Sequence, residues 1–504
     1  MPTRARLLAA FLSVFIFLII LHLPFLRLPY YWDEAGYYIP AALDFMRHGL
    51  LIPRDTLPTG HTPLVMAYLG AVWRLFGFSE VVTRAAMILI AAATVITTYT
   101  LGRRVAGREA GLWAAALLAL SPLFFAQSSL VFLDLTATLF TTLALLFALD
   151  RRWAAFALAA SLAVLSKETA VVVLPAVWAL MLVRRREREM RAWVFSIVPI
   201  VLLAAWALFY HSRTGFWTGN EDYLQYNLYS AFTPLHVARA FLARFAEIFA
   251  QGFNWLVVAA AVAGIWWMQK RTPGALPDSA DTAREDRVFG DCKFLTLALI
   301  AVYILMLSVV GGAILPRYML PVFPAFYALA AALIFRLPKS MARLACCGII
   351  VCFVAAWFIN PPYPFPYEDN LSYATFIHLH KRAAGYLESL PGDPVILTAW
   401  PATDELRQPA LGYVHRPLRV AQVDDFAPSC FASAPRFDVL YLYSRKWDPP
   451  DNWLTSLRPL HAISRQFYDY QPAAQPGELA ARFHLRLVKE FDRKGQWVKI
   501  YQRP

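Results

Sequence analysis

Charge is what this sequence has least of. Only 16% of its residues are Asp, Glu, Lys or Arg, against 59% hydrophobic, and the mean hydropathy is +0.47. Soluble domains carry more charge, and apolar stretches near membrane length recur along the chain, so a soluble class is excluded. Cysteine is almost as scarce. Cys346, Cys347 and Cys352 lie within an apolar segment, Cys292 starts another and Cys430 stands alone, so no disulfide framework or zinc spacing is present. Neither a Gly-rich nucleotide fingerprint nor an internal repeat of the transporter kind is evident. The formal charge of +13 could suggest nucleic acid, but the basic residues sit in short clusters between apolar segments. That is the pattern of cytoplasmic loops, so nucleic acid is not expected as a partner.

What the chain does have is spans. The basic start, Met1 to Arg6, followed by 7–25, has the charge and length of a signal anchor. No small-residue cleavage site follows it, so it is expected to stay as the first span. Further spans are predicted over 81–101, 110–125, 131–149, 153–165, 169–183, 193–210, 254–268, 294–310, 318–335 and 344–358, about eleven in all. Several are shorter than the roughly twenty residues a crossing helix needs, and snorkelling Arg and Lys or a local change in thickness absorbs the mismatch.

Basic residues set the sidedness. With the N-terminus in the cytoplasm, the inside loops hold Arg103, Arg104 and Arg108; Arg151 and Arg152; the run Arg184, Arg185, Arg186, Arg188 and Arg191; Lys270, Arg271, Arg284, Arg287 and Lys293; and Arg336, Lys339 and Arg343. The outside turns hold little beyond Lys167 and Arg317. Segments 153–165 and 169–183 could form one helix, but merging them would place the arginine run at 184–191 outside, so two are expected. Outside the cytoplasm lie a first loop (27–80), a middle loop (211–253), the Gly-Gly-Ala-Ile-Leu-Pro-Arg turn and everything after Asn360. The amphipathic stretches 63–78 and 235–249 read as interfacial helices. After the Pro-rich linker 361–366 come a helix (371–390), strands (395–400, 418–423, 438–443) and a hairpin (485–491, 496–501) around Lys494-Gly495. The predicted fold is therefore a polytopic α-helical membrane module (1–360) with an extracytoplasmic C-terminal α/β domain (361–504). The lack of secretory disulfides favours a bacterial inner membrane, with that domain in the periplasm.

Candidate chemistry gathers at the outer side. Asp33 and Glu34 follow the first span, among Tyr30, Tyr31, Trp32, Tyr37 and Tyr38. Such a pair can bind a cation, take a proton or simply solvate a loop, and the rings suit an interface where a lipid headgroup lies. Asp134 lies near the outer end of the fourth span, where an ionisable side chain is costly and function is the default reading, shallow solvation the alternative. Lys167 and Glu168 form either a local ion pair or part of a substrate site. Arg317 offers a fork suited to phosphate, although an anchoring arginine is equally ordinary. His61 is more often a hydrogen-bonded structural residue than a ligand, and no second histidine at metal spacing accompanies it.

The order of these motifs resembles the GT-C glycosyltransferases, in particular the group of aminoarabinose transferases and protein O-mannosyltransferases. Tyr31-Trp32-Asp33-Glu34-Ala35-Gly36-Tyr37-Tyr38 resembles that family's first-loop Asp-Glu motif, and Gly60-His61-Thr62-Pro63-Leu64 its His/Lys-Pro-Pro-Leu segment, with Thr62 where proline is usual. Phe132-Leu133-Asp134, Ser166-Lys167-Glu168-Thr169 and Pro316-Arg317-Tyr318-Met319-Leu320-Pro321 are similar to its later acid, Ser-Lys-Glu turn and Arg-Tyr entry. The resemblance covers roughly the first 340 residues. It implies inverting transfer from a polyprenyl-phosphate sugar to a lipid, glycan or protein acceptor, by a monomer among membrane lipids. It implies Asp33, Glu34 and Asp134 as catalytic acids, Lys167 and Arg317 on the donor phosphate, and Tyr37, His61, Glu168 and Tyr318 lining the substrate. No cofactor is certain; a divalent metal ion bound by unassigned ligands is the one the resemblance admits. The competing class is a transporter or lipid flippase, which predicts ionisable groups at mid-membrane and repeated halves.

Overall fold

The computed structural model describes residues 4–54, 56–184, 190–219, 234–271, 280–310, 313–447 and 474–504. Arg185, Arg186 and Arg188 of the basic run, part of the middle loop and Gly311-Gly312 lie outside the described residues. All eleven segments predicted as spans are helical. Among the described residues, 7 helices are long and apolar enough to cross a membrane, and Leu133–Leu149, Trp153–Ser166 and Glu168–Val183 are shorter apolar helices.

One of the long helices, Glu80–Leu120, spans 41 residues and contains two predicted segments. It starts where the Ser79 hydroxyl accepts from Val82 N–H, an N-cap. It breaks at Ala106 and Gly107, where Gly107 adopts φ 84°, a conformation other residues rarely take. The chain then doubles back so closely that a Cβ on Gly111 would stand 2.7 Å from the Tyr99 carbonyl oxygen. Only glycine permits that contact, so the stretch is a helical hairpin. The break at Lys167, extended at φ −155° and ψ 129°, likewise separates Trp153–Ser166 from the 3-10 turn Glu168–Val172, giving two helices as expected.

Side-chain contacts sort the loops into two ends. Arg104 pairs with Asp150 at 3.0 Å, Arg343 with Glu109 at 2.6 Å and Arg184 with Asp291 at 2.7 Å, and Arg336 lies over Phe289. The basic loops therefore share one end. Asp33, Asp134, Lys167, Arg317 and Glu368 meet at the other. Each set gathers loops that the sequence predicts to share a side. Pro316–Ile334 is almost wholly buried and forms the centre, whereas Ala5–Phe25 is mostly exposed and turns Leu8, Leu12, Ile16 and Ile20 outward, as lipid-facing residues do. The two amphipathic stretches are the helices Leu64–Phe76 and Pro234–Phe249.

Beyond residue 360 the helix Ser372–Glu388 precedes five strands: β1 (Ile396–Ala399), β2 (Val420–Val423), β3 (Val439–Tyr443), β4 (Arg486–Arg493) and β5 (Gln496–Gln502). Their order is β2-β1-β3-β5-β4, with β1 parallel to β2 and β3, and β5 antiparallel to β3 and β4. This unit seats on the first loop. Tyr30 N–H donates to the Leu411 carbonyl at 3.3 Å and Tyr413 OH to the Tyr30 carbonyl at 3.0 Å.

Candidate active site

The first loop presents its two acids in opposite directions. Trp32 has φ 50°, and Asp33 starts a single π-turn, Glu34–Tyr38, an irregularity that recurs at functional sites. Glu34 is 0% exposed. Its oxygens accept from both Arg84 terminal nitrogens, from Tyr31 N–H at 2.6 Å and from Val131 N–H at 2.5 Å. That set occupies the carboxylate, and Glu34 sits in a structural ion pair instead of beside Asp33. Expected among the catalytic acids, Glu34 thus stands apart from the cluster that Asp33 faces. Gly36, on the same turn, lies under the Trp400 indole, where a Cβ would stand 2.4 Å from Nε1. Gly36→Ala must displace Trp400 and with it the seating of the C-terminal unit. A destabilisation of about 1–3 kcal/mol is expected, read as a lowered thermal midpoint in detergent.

Asp33 faces a cluster built on Arg317. That arginine stands at the entry of the 3-10 segment Pro316–Val322 and is 2% exposed. Its Nη2 donates to Asp33 Oδ2 at 2.5 Å and its Nη1 to Glu368 Oε2 at 3.1 Å; its Nε lies 3.8 Å from Asp134 Oδ2. The guanidinium stacks over Phe132 at 3.9 Å. Asp134, in the first turn of Leu133–Leu149, holds Lys167 Nζ at 2.7 Å through its other oxygen. Lys167 also lies 3.9 Å over the ring of Tyr318, which Arg244 approaches at 5.6 Å. Of the three carboxylates around Arg317, Asp33 has 16% side-chain exposure against 4% for Asp134 and 3% for Glu368, so Asp33 is the one an incoming molecule can reach.

Lys167 and Glu168 do not pair locally. Glu168 turns to His61, which approaches it at 3.0 and 3.1 Å, and the His61 ring lies 6.3 Å from that of Tyr38. The Thr62 hydroxyl donates to the Val164 carbonyl at 2.9 Å and so ties the first loop to the Lys167 turn, a bond that proline could not make. Tyr37, Tyr38 and His61 line a small cleft closed by Trp206 and Tyr210. A larger, mainly apolar cavity of about 350 Å³ opens beside Pro316, between Glu247, Tyr327, Asn254, Phe365 and Asp369. Burial raises the carboxyl of Glu368 to about 7 despite Arg317 beside it, and raises Asp369 and Glu247 as well.

The donor set does not fit a divalent metal. Among the described residues no group of three His, Cys, Asp or Glu side chains is arranged to hold one. Asp33, Asp134 and Glu368 converge on a guanidinium, which takes the central position a cation would need.

Comparison with known proteins bears on this geometry. Residues 60–211 match the family described as dolichyl-phosphate-mannose-protein mannosyltransferase. The structure of ArnT from Cupriavidus metallidurans bound to undecaprenyl phosphate superposes with a TM-score of 0.57 at 14% identity, covering 99% of this chain and 98% of that one. The apo form of the same protein gives 0.53 at 14% identity, covering 98% and 97%. The chain therefore shares the fold of ArnT over nearly its whole length. No curated protein sequence matches it. Within this fold, Asp33, Asp134, Lys167, Arg317 and Tyr318 form one cluster, while His61, Glu168 and Tyr37 lie in the adjoining wall.

Sequence reasoning passed over four residues here. Arg84 lies inside an apolar segment, and the cost of a charge there should have flagged it. Arg244 and Glu247 sit one turn apart, 0% and 3% exposed, on the stretch that reads as an interfacial helix. Glu368, 3% exposed, follows a Pro-rich linker in Tyr-Glu-Asp, where nothing local distinguishes it from a solvated turn.

Proposed function

We propose that this chain is a membrane glycosyltransferase that moves a sugar from a polyprenyl-phosphate donor to a lipid, glycan or protein acceptor, inverting the anomeric carbon. The observation that carries the reading is the Arg317 cluster: an accessible carboxylate, Asp33, held beside two buried cations at one end of a GT-C helical bundle. ArnT, which shares the fold, binds undecaprenyl phosphate. Here Asp33 takes the proton of the acceptor hydroxyl as that oxygen attacks the anomeric carbon. The bond from that carbon to the phosphate oxygen breaks, and the phosphate leaves with the electron pair. Arg317 and Lys167 neutralise the departing charge, and Asp134 positions both. Tyr318 carries the cations on its ring face, and Arg244 adds a third. The apolar cavity beside Pro316 supplies volume for the hydrocarbon of a lipid substrate.

The end carrying the basic loops is read as cytoplasmic. The site and residues 361–504 then face outward, into the periplasm of a bacterial inner membrane, and the chain acts as a monomer. A transporter is disfavoured, because the charged groups stand at helix ends: Arg317 at an entry, Asp134 in a first turn, Lys167 between two helices.

Mass spectrometry of glycolipids and glycoproteins from cells with and without the gene tests the reading: a glycoform must vanish with the gene. Arg317→Lys keeps the charge and loses the fork. It is expected to weaken the donor about tenfold, seen as a raised donor KM with kcat changed less. An unchanged donor KM removes Arg317 from the phosphate.

A further inference from the structure

Three carboxylates and two cations meet in the cluster: Asp33, Asp134 and Glu368 against Lys167 and Arg317. Arg244, on the far side of Tyr318, is offset by its own partner Glu247 at 3.4 Å, so with every group ionised the cluster already carries one excess negative charge. A donor phosphodiester adds another, in a site shielded from water where like charges repel strongly. One of the acids must give up its charge for the donor to enter.

The geometry singles out one of them. Asp134 uses one oxygen on Lys167 and turns the other toward Arg317, and Asp33 is the carboxylate with access to solvent. Glu368 is buried, gives Oε2 to Arg317 Nη1 at 3.1 Å and leaves Oε1 buried with no hydrogen-bond partner among the described residues. A carboxylate with a bare buried oxygen is the least stable anion of the three. It also holds an arm of Arg317 that a phosphate would need for a two-point grip.

Building on the glycosyltransferase reading, we propose that Glu368 is a positioning residue that clamps Arg317 in the empty site and takes up a proton to release it when the donor phosphate binds. The segment following the last span thereby couples the C-terminal region to donor engagement. The groups facing Glu368 are Arg317, Asp33, Asp134 and Lys167, with Asp369, Tyr31 and, beyond Asp369, Glu247. Gln127 fixes its backbone, donating to the Glu368 carbonyl at 3.1 Å. Because burial has already lifted the Glu368 carboxyl to about 7, the proton costs little near neutrality. The sign follows: donor affinity is full below about pH 7 and falls as pH rises above it, up to tenfold per pH unit.

The probe is farnesyl methyl phosphate, a prenyl phosphodiester whose single charge is constant from about pH 5.5 to about pH 8.5. Its binding to the purified full chain is measured by calorimetry in two buffers of different ionisation enthalpy. The wild type is expected to take up a proton on binding near pH 7.5 and to lose affinity above about pH 7. Glu368→Gln should bind without proton uptake, with a flat pH profile, and about tenfold more tightly at pH 8. Wild-type binding without proton uptake overturns the clamp and leaves the glycosyltransferase reading standing; this arm needs no variant to fold. A Glu368→Gln profile that keeps the wild-type slope does the same. If neither protein binds the diester at any pH, the phosphate site itself fails, and the clamp with it.

Discussion

Asp33→Asn is expected to lower kcat by about 10²–10⁴ while donor affinity stays the same or rises. The substitution is nearly isosteric, so the turn that starts at residue 33 should persist. Asparagine cannot take the proton from an acceptor hydroxyl, and the factor given is what positioned general bases commonly contribute. The rise in affinity comes from the opposite side of the same contact. Arg317 Nη2 now rests on Asp33 Oδ2 at 2.5 Å, and removing that charge frees the guanidinium for phosphate. Separate measurement of donor binding and single-turnover transfer distinguishes the two effects. If transfer by Asp33→Asn proceeds at the wild-type rate, another group is the base. If instead donor binding collapses, Asp33 serves to hold Arg317 and has no part in proton transfer.

What the sequence discloses and what it hides follow from the range of the interactions. Apolar segments declare themselves locally, because a helix in lipid needs continuous hydrophobicity, and all eleven predicted segments are helical. The strands were readable for the same reason: Val439–Tyr443 and Gln496–Gln502 are short β-rich runs bounded by turn residues. Asp33, Asp134, Lys167 and Arg317 were found because charged residues next to apolar spans are rare enough to notice. Their assembly was legible only through parity, since an alternating count brings those four helix ends to the same side.

Partnership was not legible. Glu34 and Asp33 look equivalent as neighbours, yet a residue 50 positions on claims one of them and a residue 284 positions on claims the other. Glu368 reaches Arg317 from 51 residues away, across the last two spans. A pairing of that range leaves no mark in local composition. Lys167 and Glu168 show the converse: adjacency suggested an ion pair, and each instead reaches a separate element, Asp134 and His61.

Arg84→Ala is expected to be the most destabilising single change near the site, at about 3–5 kcal/mol. Arg84 is 1% exposed and Glu34 0%, so removing the guanidinium strands a carboxylate with only the Tyr31 and Val131 N–H groups for support. The loss extends further, because Arg84 also donates to the Pro29 carbonyl at 3.0 Å and the Ser129 carbonyl at 2.9 Å. Those bonds fasten the strip before Asp33 to the turn before Asp134, so donor binding should fall together with stability. Replacing both partners, as in the double variant Glu34→Gln with Arg84→Met, removes the stranded charge and should recover much of the stability. It should recover little of the donor binding, because the two carbonyl contacts stay broken. Thermal unfolding in detergent, run as a double-mutant cycle beside donor titrations, separates the two outcomes. An Arg84→Ala protein that melts with the wild type would mean that water reaches Glu34. In that case the first loop is held to the bundle by the Tyr30, Leu411 and Tyr413 contacts with the C-terminal unit, and the anchor of Asp33 lies outside the membrane module altogether.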